Sequence, residues 1–215
     1  MLFLFLQEHW LSDEHLNYLA CVSPNIAYTG ISGFDRSDVL AGRPYGGCAI
    51  LWHSNLNARV TPLIVNSRRV SAVRLSLDPD SVKILLVNVY MPYEDGDENI
   101  DDFVSVLTVI EEMVKSNSDC HVVIGGDFNV DSCRDMNHTA LLNCFCKDSD
   151  LIPVDRHASS HIDYTYKFNM QRFSILDHFI LSDTLFEEYV KDAFVLHEVD
   201  NLSDHDPIYL CLRIM

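Results

Sequence analysis

The chain's 215 residues are 48% hydrophobic and 10% aromatic, enough to bury one sizeable core and too few for two full domains. Its 15 Lys and Arg against 32 Asp and Glu leave a formal net charge of −17, which excludes tight nucleic-acid binding through a broad basic face and requires any such contact to be local. Seven cysteines, an odd count set mostly inside apolar segments, suit buried thiols in a reducing compartment better than a disulfide framework.

The opening run Met1 to Leu6 lacks a basic segment before it and has Gln7-Glu8 directly behind it, so it reads as a strand and not as a signal peptide. Further apolar or alternating runs of strand length, rich in Val, Ile, Leu and Phe, follow it. With the first at 2–6, they fall at 47–52, 69–77, 82–90, 121–126, 173–181, 190–197 and 207–213. Helical patterns fall at about 13–21, 99–115 and 136–148. The middle one carries Ile100, Phe103, Val104, Leu107, Val109, Ile110, Met113 and Val114 at three-to-four spacing, with acidic residues at its start. Most strands succeed one another through short turns, which predicts largely antiparallel sheets with helices on their outer faces. There is no repeat, Gly/Ser linker or low-complexity tract, and no run approaches the roughly 18 apolar residues of a membrane span. A single domain over 1–215, soluble and intracellular, is expected.

Polar clusters gather at the strand ends. Gln7-Glu8 closes the first strand, Asn88-Val89-Tyr90-Met91-Pro92 closes the run at 82–90, and Asp127 and Asn129 follow Gly125-Gly126. Ser203-Asp204-His205-Asp206 precedes the last strand. Asp177 lies within Ile175 to Leu181, where a buried carboxylate is costly without a partner, and His205 is the candidate partner because a carboxylate fixes the imidazole tautomer and favours the charged ring.

Together these groups suit metal-assisted hydrolysis of a phosphate ester. Glu8, Asp127, Asn129 and Asp204 supply hard oxygen donors, favouring Mg²⁺ or Mn²⁺ over zinc. Asp127 is suited to orient or deprotonate the attacking water, Asn129 to hold that water or the phosphate, and His205 to donate to the non-bridging oxygens. Tyr90 is suited to stabilise the leaving oxygen. Taken singly, Glu8 reads as a solvated turn residue and Tyr90 as a packing residue; the order and strand-end placement of the whole set carry the reading. Cys144 and Cys146 near His138 suggest zinc, but no second cysteine pair accompanies them. Arg43, Arg59, Arg68, Arg69, Arg74, Lys167 and Arg172 are available for local contact with nucleic acid, although each alone reads as an ordinary solvated residue.

These residues carry a resemblance. QE at 7–8, the apolar strand after GG at 46–52, NVYMP at 88–92, GGDFN at 125–129, LDHFILS at 176–182 and SDHDPI at 203–208 resemble the endonuclease/exonuclease/phosphatase superfamily. More narrowly, GRPYGGCAILW at 42–52, RRVSAVRL at 68–75 and NLSDHDPI at 201–208 resemble the apurinic-like endonuclease domain of non-LTR (LINE-type) retrotransposons.

The resemblance implies an α/β fold, a four-layer α/β/β/α sandwich with two largely antiparallel sheets. It implies that Glu8 is the metal-binding glutamate, Tyr90 the active-site tyrosine, Asp127 and Asn129 the water- and phosphate-handling pair, Asp177 the partner of His205, and Asp204 a neighbour of the metal. Thr165 falls where family members place a groove-shaping threonine. The implied act is Mg²⁺-dependent nicking of target DNA in the nucleus by one segment of a larger polyprotein, although no targeting signal is present. Site preference would come from loops near 29–45, 93–98 and 155–173. Family members begin with an extra strand ending in an Asn, and this chain starts inside the next strand. An N-terminally truncated domain is therefore expected, with an exposed apolar edge and weak activity or solubility on its own. Two alternatives stand beside this reading. One is a phosphatase or phosphodiesterase of the same superfamily acting on a lipid or small molecule, which the acidic surface favours; the other is an inactive binding or scaffold remnant.

Overall fold

In a computed structural model, residues 1–34, 46–57, 59–77, 82–95, 99–169, 171–197 and 200–214 are described. Their strands are β1 Phe3–Gln7, β2 Ile26–Ile31, β3 Cys48–His53, β4 Val60–Leu63, β5 Val70–Ser76, β6 Lys83–Tyr90 and β7 His121–Asp127. There follow β8 Leu151–Pro153, β9 Ser160–His161, β10 Tyr166–Phe168, β11 Arg172–Ser174, β12 Asp177–Ser182, β13 Val190–Val195 and β14 Ile208–Leu212. The α-helices are α1 Ile100–Ser116 and α2 Asn137–Asp148.

The runs richest in Val, Ile and Leu become the central strands of a six-stranded sheet ordered β4-β5-β6-β7-β12-β8. Every pairing in it is antiparallel except β6 with β7, and α1 supplies the crossover that a parallel pair requires. The period of two divides β6 cleanly. Leu85, Val87 and Val89 face one core with Phe103, Leu107 and Ile110 of α1 and Leu142 and Phe145 of α2. Ile84 and Leu86 face the other core, where Ile50, Trp52, Phe3, Phe5, Ala193 and Leu210 of the second layer meet them.

That second layer consists of two three-stranded pieces, ordered β1-β3-β2 and β14-β13-β9. The first lies over β5, β6 and β7, and β14 lies against β12. Outside β3 and β2 a 3₁₀ helix, Asp13–Cys21, buries Leu19 against Ala49 and Leu51 and completes the fourth layer. The four-layer sandwich with helices outside is therefore the observed architecture. Among the described residues β1 and β14 are both edge strands, with Leu4 of β1 and Leu2 just before it exposed.

Several local details differ from expectation. The run at 173–181 is two strands, β11 in a hairpin with β10 and β12 in the main sheet. β2, β4, β8, β9 and β10 carried no clear signal: β4 contains Pro62 and β8 ends in Pro153, which suits both to sheet edges. The helical pattern at 13–21 winds as a 3₁₀ helix. Arg43, most of the loop at 29–45, the first residues of the string at 42–52 and part of the loop at 93–98 lie outside the described residues.

Candidate active site

Strand register assembles the floor of the site. Tyr90 of β6 stands beside Asp127 of β7, and Asp127 stands beside Asp177 of β12. All three share the parity of Leu86, Val123 and Leu181, so they sit at one end of the six-stranded sheet on the face toward the second layer. Gly126 makes this approach possible. Its φ is +140°, and a Cβ there would lie 2.1 Å from the Val89 carbonyl oxygen.

Asp127 and Asp177 are only 7% and 8% exposed, and with His205 they present ligand atoms all within 4.8 Å of one another. Burial, then the neighbouring Asp177 charge, pushes the Asp127 carboxyl well above the usual carboxylate range, with His205 opposing the shift. His205 Nδ1 lies 2.8 Å from Asp177 Oδ2. Burial works to lower the ring's pKa, but that bond and the charges of Asp177, Asp127 and Asp204 prevail and raise it to about 9. At neutral pH the ring is an imidazolium, with Nδ1–H engaged by Asp177 and Nε2–H left to donate.

Asn129 follows in the left-handed region, at φ 51°, which asparagine tolerates. Its backbone N–H donates to Asp127 Oδ1 at 2.9 Å, and its Nδ2 donates to the Met91 carbonyl at 2.9 Å and more weakly to Asp127 Oδ2 at 3.4 Å.

Glu8 reaches the site from the second layer, and Asn88 explains how. Asn88 is fully buried on the same face as Tyr90; its Nδ2 donates to the carbonyls of Leu6 and Ala49, and its Oδ1 accepts from Gln7 Nε2. This pins β1 and β3 to β6. The Tyr90 hydroxyl then donates to Glu8 Oε1. Burial, followed by the Glu8 carboxylate, holds the phenol far above its ordinary pKa, so Tyr90 is a neutral donor and not a phenolate. Glu8 has φ 51°, a conformation rare for its residue type and one that concentrates at functional sites.

Sequence reasoning missed several supports. Asn88 stood out only as part of a string. Arg69 donates to the Tyr90 carbonyl at 3.2 Å and places its guanidinium 5.4 Å from the Tyr90 ring centre. Thr165 does not line a groove. It is fully buried, and its Oγ1 accepts the backbone N–H groups of Leu176 and Asp177 at 2.9 and 3.0 Å, holding Asp177 from behind.

Asp204 sits on an exposed turn, where its charge acts on His205. His138 is buried and stacked on Phe103, and Cys144 is exposed; among the described residues they form no zinc cluster. No helix among the described residues is long and apolar enough to cross a membrane.

A profile described as endonuclease-reverse transcriptase matches residues 84–209, more than half the chain. No curated protein sequence matches. Among solved structures, an AP endonuclease from Leishmania major superposes with a TM-score of 0.77 at 20% identity, covering 99% of this chain and 78% of that one. A 3′ phosphatase from Neisseria bound to product DNA hairpin gives a TM-score of 0.70 at 16% identity, covering 99% and 89%. The endonuclease domain of TRAS1, a telomere-specific non-LTR retrotransposon, gives 0.64 at 13% identity, covering 88% and 79%. At these identities the likeness shows a shared fold. With the profile match, it places this chain in the endonuclease-reverse transcriptase family, within the endonuclease/exonuclease/phosphatase superfamily.

Proposed function

We propose that the chain is a divalent-metal-dependent phosphodiesterase that nicks DNA, serving target cleavage for a retrotransposon-type element. The observation that carries this is the pair of buried Asp177 and half-buried His205 set beside a second buried carboxylate, Asp127, whose ionisation is disfavoured by its surroundings. Two buried carboxylates facing each other with one imidazolium suit a site that receives a further cation.

Glu8, Asp127, Asn129 and Asp204 are the oxygen donors that would hold Mg²⁺ or Mn²⁺. When bound, such an ion neutralises charge building on the phosphoryl group. The chain's own residues supply the rest. Asp127 accepts the proton of the attacking water, and Asn129 orients that water or the phosphate. His205, held by Asp177, donates Nε2–H to a non-bridging oxygen, and neutral Tyr90 turns its one hydroxyl proton from Glu8 to the leaving oxygen. The hairpin of β10 and β11, which overlaps the stretch 155–173, carries exposed Phe168, Arg172 and Phe173, and its Tyr166 ring lies 4.9 Å from the His205 ring. Aromatic and basic side chains there suit contact with a deformed groove.

The net charge of −17 favours a second reading, hydrolysis of a phosphorylated lipid or small molecule. Supercoiled plasmid incubated with the chain and Mg²⁺ or Mn²⁺ separates the two. Metal-dependent conversion to the nicked circle, absent in Asp127→Ala and His205→Ala, is expected. Release of phosphate from sugar or lipid phosphates by a chain that leaves the plasmid supercoiled would establish the second reading instead.

A further inference from the structure

Behind His205 lies a polar cluster that the proposed chemistry does not use. The Asp206 side chain is 1% exposed, yet it carries a carboxylate. Lys167 Nζ of β10 approaches both its oxygens, at 3.0 and 3.3 Å. Asn201 Nδ2 donates to Oδ1 at 2.8 Å, and His197 Nδ1 lies 2.8 Å from Oδ2. Burial works to raise the Asp206 carboxyl, but the bonds from His197, Asn201 and Lys167 outweigh it and hold the group ionised. The other nitrogen of His197 lies 2.9 Å from Asp163 Oδ1, and its ring stacks on Tyr164 with centroids 4.3 Å apart.

The same groups hold the backbone. Asn201 Nδ2 also donates to the His205 carbonyl at 2.7 Å, and the Asp206 N–H donates to the Thr165 carbonyl at 2.7 Å. The Lys167 N–H donates to the Asp204 carbonyl at 3.0 Å. Residues 204, 205 and 206 are therefore tied to Lys167 of β10, to Asn201 and to Thr165 respectively, and each of these ties involves Asp206 itself or a member of its clasp. Thr165 simultaneously holds the backbone of Asp177. Both halves of the Asp177–His205 pair thus hang from one scaffold.

We infer that Asp206, clasped by Lys167, Asn201 and His197, is a positioning residue that fixes the His205 ring against Asp177 and couples it to the β10–β11 hairpin. This rests on the reading of His205 as the donor to the phosphoryl oxygens. A buried carboxylate with three donors is expensive to keep unless its geometry is used, because removing either side leaves an unpaired buried group. A displacement of His205 by about 1 Å costs on the order of 10²-fold in turnover.

The test uses Asp206→Asn and, as a second change at a half-exposed position, His197→Gln. Steady-state nicking is measured with proton-detected NMR of the His205 Nδ1–H. Asp206→Asn is expected to lower kcat about 10²-fold with KM changed less than about threefold, and to broaden or shift the Nδ1–H signal; His197→Gln follows in the same direction with a smaller effect. A folded Asp206→Asn protein with wild-type kcat and an unmoved Nδ1–H signal overturns the inference, as does a loss confined to thermal stability. If wild-type protein fails to nick plasmid, the functional reading falls, while the NMR comparison still decides whether Asp206 positions the ring.

Discussion

The site is assembled from two kinds of structure that hold their residues by different means. Tyr90, Asp127 and Asp177 lie on adjacent strands at the end of the six-stranded sheet, where register alone fixes their spacing. Glu8 and His205 arrive on turns from the second layer; Glu8 is placed by its bond from Tyr90 and by the Asn88 bonds that pin β1, and His205 by its bond to Asp177 and by the nearby Asn201. Strand pairing fixes position cooperatively through many backbone bonds, whereas a turn depends on a few contacts, each worth about 1 kcal/mol net. The sheet-borne half should therefore tolerate loss of a neighbour, and the turn-borne half should not.

The largest effect is expected at the sheet-borne centre. Asp127→Asn should reduce metal-dependent nicking by about 10³-fold or more, since it removes a base and leaves a neutral oxygen where a charged donor would face the metal. Its effect on stability should have the opposite sign. Burial and Asp177 already penalise the Asp127 charge, so the amide relieves that penalty and raises Tm in metal-free buffer. A fall in both activity and Tm would mean that the strands, and not the carboxylate chemistry, depend on Asp127.

Next comes the turn-borne His205. His205→Ala should lower kcat by about 10²-fold to 10³-fold and leave KM nearly unchanged, because its hydrogen bond strengthens only as charge develops on the phosphoryl group. Equal losses in kcat and affinity, measured under steady-state conditions, would assign His205 to substrate binding.

The same division explains what the sequence disclosed. A polar cluster directly after an apolar run is visible as a string, and Asp127, Asp177 and the Asp177–His205 partnership could be read that way because burial of an isolated carboxylate demands a partner. Asn88 sits in such a string too, but its work is to join β1 and β3 to β6, and nothing local says which strands will face it. Thr165 and Asp206 were similarly opaque, since one buried hydroxyl accepts backbone N–H groups and one buried carboxylate gathers side chains that only the assembled fold brings near. Strand β2 was missed because Ile26-Ala27-Tyr28-Thr29-Gly30-Ile31 is half-buried throughout and lacks a clean alternation. The broken run at 173–181 hid its own division because Ile175 and Leu176, between the two strands, are as apolar as the Phe, Ile and Leu of the strands themselves.

A smaller effect is expected at Glu8, the other turn-borne group. Glu8→Gln keeps the hydrogen bond from Tyr90 but loses the charge, so the Mg²⁺ concentration for half-maximal nicking should rise by about 10-fold, with activity recovered at saturating metal. A titration of initial rate against Mg²⁺ reads this directly. An unchanged midpoint would remove Glu8 from the donor set and return it to a purely structural bond with Tyr90.

The smallest effect concerns stability and pH, and it sharpens the comparison without any catalysis. His205 has a folded-state pKa raised above its ordinary 6.5 to about 9, with the Asp177 bond the main raising influence. A group raised on folding stabilises most fully below its unfolded pKa, and the contribution fades as pH climbs through the folded value. Asp127 titrates in the same region and is replaced by Asn in both proteins compared, which leaves the Asp177–His205 pair intact. Thermal unfolding in metal-free buffer should then show the Asp127→Asn protein losing its Tm advantage over Asp127→Asn, His205→Asn as pH rises above about 6.5, by an amount on the order of a few degrees and with the loss complete at or below about 9, because the Asp127 charge that helps raise the ring is gone. A difference that stays level across that window would mean that the turn carrying His205 is held by the ties to Asn201, Thr165 and Lys167 alone, and that the charge of the ring adds nothing to the fold.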